Sequence, residues 1–126
     1  MALAVLVVDG DIDALASVRA VLSGEDYAVR EAPNGRRALQ RIMADPPNLL
    51  ITEILMPDGD GIELISAART NYPEMRIIAV SNRRFLGDLD LLNLASKLGA
   101  NAVLNKPVQV ETLIATIKRL LGTAAP

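Results

Sequence analysis

LLITEILMPDGDGIEL, residues Leu49 to Leu64, is the stretch that decides how this chain folds. The apolar run Leu49 to Thr52 has the length and β-branched content of a buried strand, and it ends on an acid, Glu53. Met56-Pro57 and the Asp58-Gly59-Asp60-Gly61 turn follow, and Ile62, Ile65 and Ala68 then recur at helical spacing. Open α/β sheets bind ligands and do chemistry at the carboxyl ends of their strands. Glu53 stands at such an end.

The same alternation of strand-length apolar runs with helical periods extends in both directions and predicts a parallel sheet built from βαβ units. Leu3 to Val8 is apolar throughout, as expected of a strand buried on both faces. A first helix begins near Asp11, a plausible N-cap, carries Leu15, Val18 and Leu22 inward, and stops at Gly24. Tyr27 to Arg30 is a shorter, more polar strand suited to a sheet edge. Asn34-Gly35 leads into a second helix with Ala38, Leu39 and Ile42 inward, ended by Pro46-Pro47. After the third helix come a strand at Arg76 to Val80, a polar loop at Ser81 to Asp88, and a fourth helix over Leu89 to Leu98 closed by Gly99. Ala102 to Leu104 is the last strand. Val110, Leu113, Ile114, Ile117 and Leu121 give the last helix its stripe. Right-handed crossovers favour a flavodoxin-like α/β sandwich with five parallel strands in the order 2-1-3-4-5.

Composition sets bounds on the chemistry. The 126 residues suit one domain, expected over 1–122 with a frayed tail at 123–126. Neither cysteine nor histidine occurs, so thiolate metal sites, cysteine nucleophiles and imidazole bases are excluded. The net charge of −2 gives no nucleic-acid footprint, and aromatics at 2% provide no stacking platform for bases. Ala2 to Val8 is too short for a membrane span and is followed at once by Asp9, so a cytoplasmic protein is expected.

In the predicted topology the carboxyl ends of four strands converge and bring together Asp9, Glu53, Ser81 and Lys106. These four positions, with Met56-Pro57 and Lys106-Pro107, resemble in order and spacing the receiver domains of two-component response regulators. The resemblance implies an acid pair that binds Mg²⁺, an acceptor carboxylate phosphorylated by a histidine kinase, a hydroxyl that contacts the phosphoryl oxygens, and a lysine that pairs with them. Carried over, Glu53 holds the acceptor position, Ser81 the hydroxyl and Lys106 the cation. Asp9, Glu53 and the backbone carbonyl of Leu55 are the metal positions. The physical logic is phosphoryl transfer by positioning and charge neutralisation.

Three positions depart from the family pattern. Gly10 stands where the family usually has the second acid, leaving Asp9 with Asp11 displaced by one residue; Asp11 is a candidate metal ligand that could partly compensate, and capping the first helix is its more natural task. Glu53 replaces an aspartate, and its extra methylene moves the carboxylate by more than an ångström, where a misplacement of about 1 Å can cost on the order of 10²-fold in rate. Val103 replaces a common aromatic. Mg²⁺ affinity is therefore expected to be weakened, with no cofactor required, and phosphoacceptor chemistry impaired or absent.

Two consequences of Glu53 stay open on sequence grounds. Either its carboxylate reaches toward Lys106 and Ser81 and imitates phosphate, or it forms an ion pair with no switching role. The expected function is a non-enzymatic, stand-alone signalling domain acting by protein–protein interaction. Its expected partners are a sensor histidine kinase or phosphotransfer protein and a downstream signalling protein, with no nucleic acid or membrane. A homodimer through the fourth helix, fifth strand and fifth helix is a further expectation. Alternatives are a working receiver with Glu53 or Asp9 as acceptor, and a haloacid-dehalogenase-like phosphatase with Asp9 as nucleophile in Asp9-Gly10-Asp11. The phosphatase pattern leaves the Glu53 segment unexplained and lacks its acidic motif after Lys106.

Two stretches outside the four-residue set also carry expectations. Arg83 and Arg84 are placed to pair with the site's carboxylates or with an anion, or else lie in a solvated loop with Phe85 tucked against the fourth helix. Leu89, Leu91, Leu92, Leu94 and Leu98 offer either a broad core stripe or an exposed partner surface.

Overall fold

Five short, mostly β-branched or leucine-rich runs pair into one parallel sheet, and the amphipathic segments between them cover both of its faces. The computed structural model describes residues 3–56 and 61–122, so the expected Asp58-Gly59-Asp60 part of the turn and the expected frayed tail lie outside the described residues. The elements are β1 (Leu3–Val8), α1 (Ile12–Ser23), β2 (Tyr27–Ala32), α2 (Gly35–Ala44), β3 (Leu49–Glu53) and α3 (Gly61–Asn71). They continue as β4 (Arg76–Ser81), β5 (Phe85–Leu86), β6 (Leu89–Asp90), α4 (Leu91–Leu98), β7 (Ala102–Asn105) and α5 (Val110–Leu121). The sheet order is β2-β1-β3-β4-β7, which is the flavodoxin-like order expected, with β7 as the fifth strand of the sheet. β2 lies at an edge, in keeping with its polar sequence.

The pleat divides the strand side chains between two cores. Leu6, Leu50 and Ile77 face Ile42 of α2, Ile65 of α3 and Leu91 of α4, all fully or almost fully buried. Val5, Leu49 and Ile78 face Leu22 of α1 and Leu113 and Ile117 of α5. Each such side chain contributes about 1.5–3 kcal/mol of transfer free energy, so the two cores, not local helix propensity, hold the sandwich together. Register then aligns the strand ends: Val8 pairs with Thr52, Glu53 with Val80, and Ser81 with Asn105.

Helix starts follow their capping chemistry. Asp11 accepts from the Asp13 N–H at 2.9 Å, Asn34 from Arg37 at 2.8 Å and Asp90 from Asn93 at 3.1 Å. The third cap corrects an expected boundary, since α4 begins at Leu91 rather than Leu89. The expected polar loop is in fact a small antiparallel hairpin in which Phe85 pairs with Asp90 and Leu86 with Leu89. Its two-residue turn is Gly87-Asp88, with Gly87 at φ 60°, the backbone sign that a tight hairpin turn requires at its first central position.

The leucine cluster resolves into a core stripe: Leu91 and Leu92 are buried, while Leu94 and Leu98 are half-buried. Leu89 is exposed, but it belongs to β6 and not to the helix. On α5, Val110 is 46% exposed instead of joining the stripe. Thr116 is buried in its place, donating its hydroxyl to the Thr112 carbonyl at 2.7 Å. Among the described residues no helix is long and apolar enough to cross a membrane.

Candidate functional site

Parallel register places β1 and β3 side by side, so Asp9, one residue past β1, and Glu53, the last residue of β3, emerge together. Lys106 follows β7 and opens a cis Lys106-Pro107 peptide bond. Its ammonium lies 2.5 Å from Asp9 Oδ2 and 3.1 Å from Glu53 Oε1. All three side chains are largely shielded, with 8%, 15% and 18% exposure for Asp9, Glu53 and Lys106. One cation thus neutralises part of the repulsion between two neighbouring carboxylates.

The electrostatics follow from that triangle. Burial pushes the Glu53 carboxyl above the usual glutamate range, and a shared contact with Asp9 adds to the rise against the opposing pull of Lys106. Burial of Lys106 works against its charge, but contacts with Asp9 and Glu53 outweigh it and hold its pKa above the ordinary lysine value. Asp9 Oδ1 also accepts from the Asp11 N–H at 2.9 Å. Glu53 Oε2 has a long contact at 3.5 Å with the Gly10 N–H, at the weak limit of a hydrogen bond.

Ser81 is buried at the end of β4, but its hydroxyl donates to the Arg83 carbonyl at 2.7 Å and accepts from the Arg83 N–H at 3.1 Å. Glu53 therefore reaches one of its two expected partners, Lys106, while the Ser81 hydroxyl is engaged by its own loop. The Ser81 carbonyl in turn accepts from the Lys106 N–H at 2.9 Å, which ties the β4 and β7 ends together. That role for the Arg83 backbone was not visible in the sequence, because any residue type supplies the same N–H and carbonyl.

Arg84 does not pair with the site's carboxylates. It binds Asp90 at 3.1 Å, where its charge holds the Asp90 carboxyl below the usual range, and its guanidinium lies 5.4 Å from the Phe85 ring centroid. Phe85 itself is 52% exposed and not tucked against α4, because the hairpin turns it outward. Val103 is half-buried against the α2–α3–α4 core.

A divalent cation would need a donor set that this arrangement does not offer. Among the described residues no group of three or more carboxylates is arranged to hold a metal ion. Asp11, the displaced acid, is occupied as the α1 cap. The inner oxygens of Asp9 and Glu53 are taken by the Lys106 ammonium, so these residues as arranged do not fit Mg²⁺, which needs several oxygen ligands in near-octahedral array.

A family model described as the response regulator receiver domain matches residues 5–118. Response regulator MprA of Mycolicibacterium vanbaalenii is 32% identical over 130 residues, covering 100% of this chain and 53% of its own length. Nitrogen assimilation regulatory protein NtrX of Azorhizobium caulinodans is 30% identical over 125 residues, covering 98% of this chain and 27% of its own. The chain thus spans about half, or less, of the curated relatives it matches. The crystal structure of a CheY-like response regulator receiver domain protein from Methanospirillum hungatei superposes with a TM-score of 0.88 at 30% identity, covering 96% of this chain and 94% of that one.

Proposed function

Because this chain belongs to the response regulator receiver domain family, we propose that it serves as a two-component signalling module whose phosphorylation chemistry has been replaced by a standing ion triangle. The observation that carries this reading is the Lys106 ammonium bound to Glu53 and Asp9 together. In phosphoryl transfer the lysine and a divalent metal neutralise charge on the incoming group. In this chain the lysine is already neutralised by carboxylates, Gly10 supplies no ligand, and the longer Glu53 side chain fills the space next to it.

On this proposal the domain is non-enzymatic, cytoplasmic and independent of Mg²⁺, and it acts through surfaces. Its partners are a histidine kinase or phosphotransfer protein, a downstream signalling protein, or a second copy engaged through α4, β7 and α5. Nucleic-acid contact is not assigned to the receiver domain itself. Family membership and the use of Asp11 as a cap leave the phosphatase alternative without support.

Incubation with acetyl phosphate, or with beryllofluoride, in the presence of Mg²⁺ tests the proposal. We expect neither the mass gain of one phosphoryl group nor NMR shifts at Glu53, Ser81 and Lys106. A stoichiometric mass gain localised to Glu53 or Asp9 would refute it. Gain of phosphorylation in Glu53→Asp would identify the acceptor as the main lesion; a gain confined to Glu53→Asp with Gly10→Asp would assign part of it to the lost ligand.

A further inference from the structure

Beside the ion triangle a cavity of about 630 Å³ runs between α1 and α5 over one face of the sheet. Its floor is Val7, Ile51 and Val80, and its walls are Val18 of α1, Val108 just before α5 and Leu113 in the first turns of α5. Exposure along the strands shows where the cavity reaches them. Val5, Leu49 and Ile78, one pleat back on the same face, are 0% exposed, whereas Val7, Ile51 and Val80 keep 2%, 3% and 5%. The space is left by small side chains. α1 presents Ala14 and Ser17 to it, and a chain with 2% aromatics has no large ring to fill it.

The volume falls in the range of about 300–1,000 Å³ found for small-molecule pockets, and an apolar body with few polar groups at one end is their usual chemistry. The polar end of this cavity is charged. Asp9, Asp11 and Glu53 line it against one cation, Lys106, a formal excess of two negative charges. Lys106 is already spent on Asp9 and Glu53, so an anionic head would meet uncompensated carboxylate. A cationic head would find Glu53 Oε2, whose contact to Gly10 is long, and at the same mouth the second carboxylate oxygen of Asp11, whose Oδ1 caps α1.

We propose that this cavity is a binding site for an amphipathic organic cation, a primary amine or amidinium carrying an alkyl or aryl body of about eight to twelve carbons. The apolar body lies between α1 and α5, and the cationic head sits against Glu53 and Asp11. The preference for a cationic head rests on the same Lys106 contacts as the proposed function, whereas phosphorylation is read by mass and ligand binding by methyl shifts, so failure of one is distinguishable from failure of the other.

The test is titration of the unmodified chain with phenylbutylamine, phenylbutanol and phenylbutyrate, followed by methyl NMR. The expected result is saturable binding of the amine at about 1 mM or tighter, with shifts at Val18, Val80 and Leu113. The alcohol and the carboxylate should bind at least about tenfold more weakly, and Glu53→Gln should weaken the amine while leaving the alcohol unchanged. Ala14→Leu, which fills the wall, should abolish binding of all three. If that variant does not fold, the ligand series on the unmodified chain decides by itself. Absence of saturable shifts, equal binding of the carboxylate, or shifts confined to Phe85 and Leu86 would overturn the proposal.

Discussion

Lys106 Nζ and Glu53 Oε1 lie 3.1 Å apart across the carboxyl end of the sheet, joining residues separated by 53 positions in the chain. The contact exists because β3, β4 and β7 run parallel in register, which brings Glu53 and the residue that follows β7 to the same end of the sheet.

Removing the cation should be costly. Lys106→Met leaves Asp9 and Glu53 facing one another without compensation in a shielded pocket. Breaking a buried ion pair from one side costs about 3–5 kcal/mol. The residual exposure of this site places the expected loss near the lower figure, on the order of 3 kcal/mol. Urea unfolding at neutral pH measures it, and a loss indistinguishable from zero would mean that the triangle does not form in solution.

The pH dependence has a defined sign. Glu53 has a raised pKa in the folded state, so its contribution is fully present below the ordinary glutamate value, about 4.3, and is lost as pH rises through the raised folded value. Glu53→Gln should therefore abolish that acid-side decline and be neutral or stabilising at pH 7. Lys106 is also raised, so its contribution persists below the ordinary lysine value, about 10.4, and disappears as pH rises through the higher folded value. Unfolding free energies across a pH series, for the wild type and both variants, check each slope.

Asp11 should behave as a cap and not as a ligand. Asp11→Ala removes the acceptor for the Asp13 N–H and should cost about 1 kcal/mol, the usual value for a lost N-cap. Asp11→Ser or Asp11→Asn should recover most of it. Failure of both to recover stability, as read by thermal melts, would show that the charge matters more than the cap.

Gly61 should tolerate no side chain. A Cβ there would run into the backbone carbonyls of Glu53 and Ile54, and Gly61 already donates its N–H to the Ile54 carbonyl at 2.9 Å. Gly61→Ala should destabilise by more than about 3 kcal/mol and perturb the Glu53 resonance, because the backbone that carries Glu53 must move. By contrast Gly87→Ala, strained but with open space around it, should cost about 1–2 kcal/mol and leave Glu53 unchanged. Equal effects at the two positions would contradict the close approach of α3 to the end of β3.

Much of this molecule follows from local order in the chain. Apolar runs such as Leu3–Val8 and Leu49–Thr52, with helical periods between them, allow few topologies once crossovers are right-handed, and the convergence of Asp9, Glu53 and Lys106 follows from that topology. The caps Asp11 and Asn34 and the stop at Gly99 are equally local, since a side chain and its neighbouring N–H groups suffice. What escaped the sequence depends on competition between distant partners. Whether the Ser81 hydroxyl met Glu53 or the Arg83 backbone, whether Arg84 met the site or Asp90, and whether Phe85 packed inward or stood on a hairpin were choices among several partners of similar chemistry. Gly87-Asp88 between Leu86 and Leu89 was the local signal for the hairpin, although reading it as loop was equally permitted by its polarity. The cavity between α1 and α5 had no sequence signature, because a void is the difference between the space two helices enclose and the volume of the side chains that fill it. Periodicity specifies which residues face inward. Only the packed structure specifies how completely they meet.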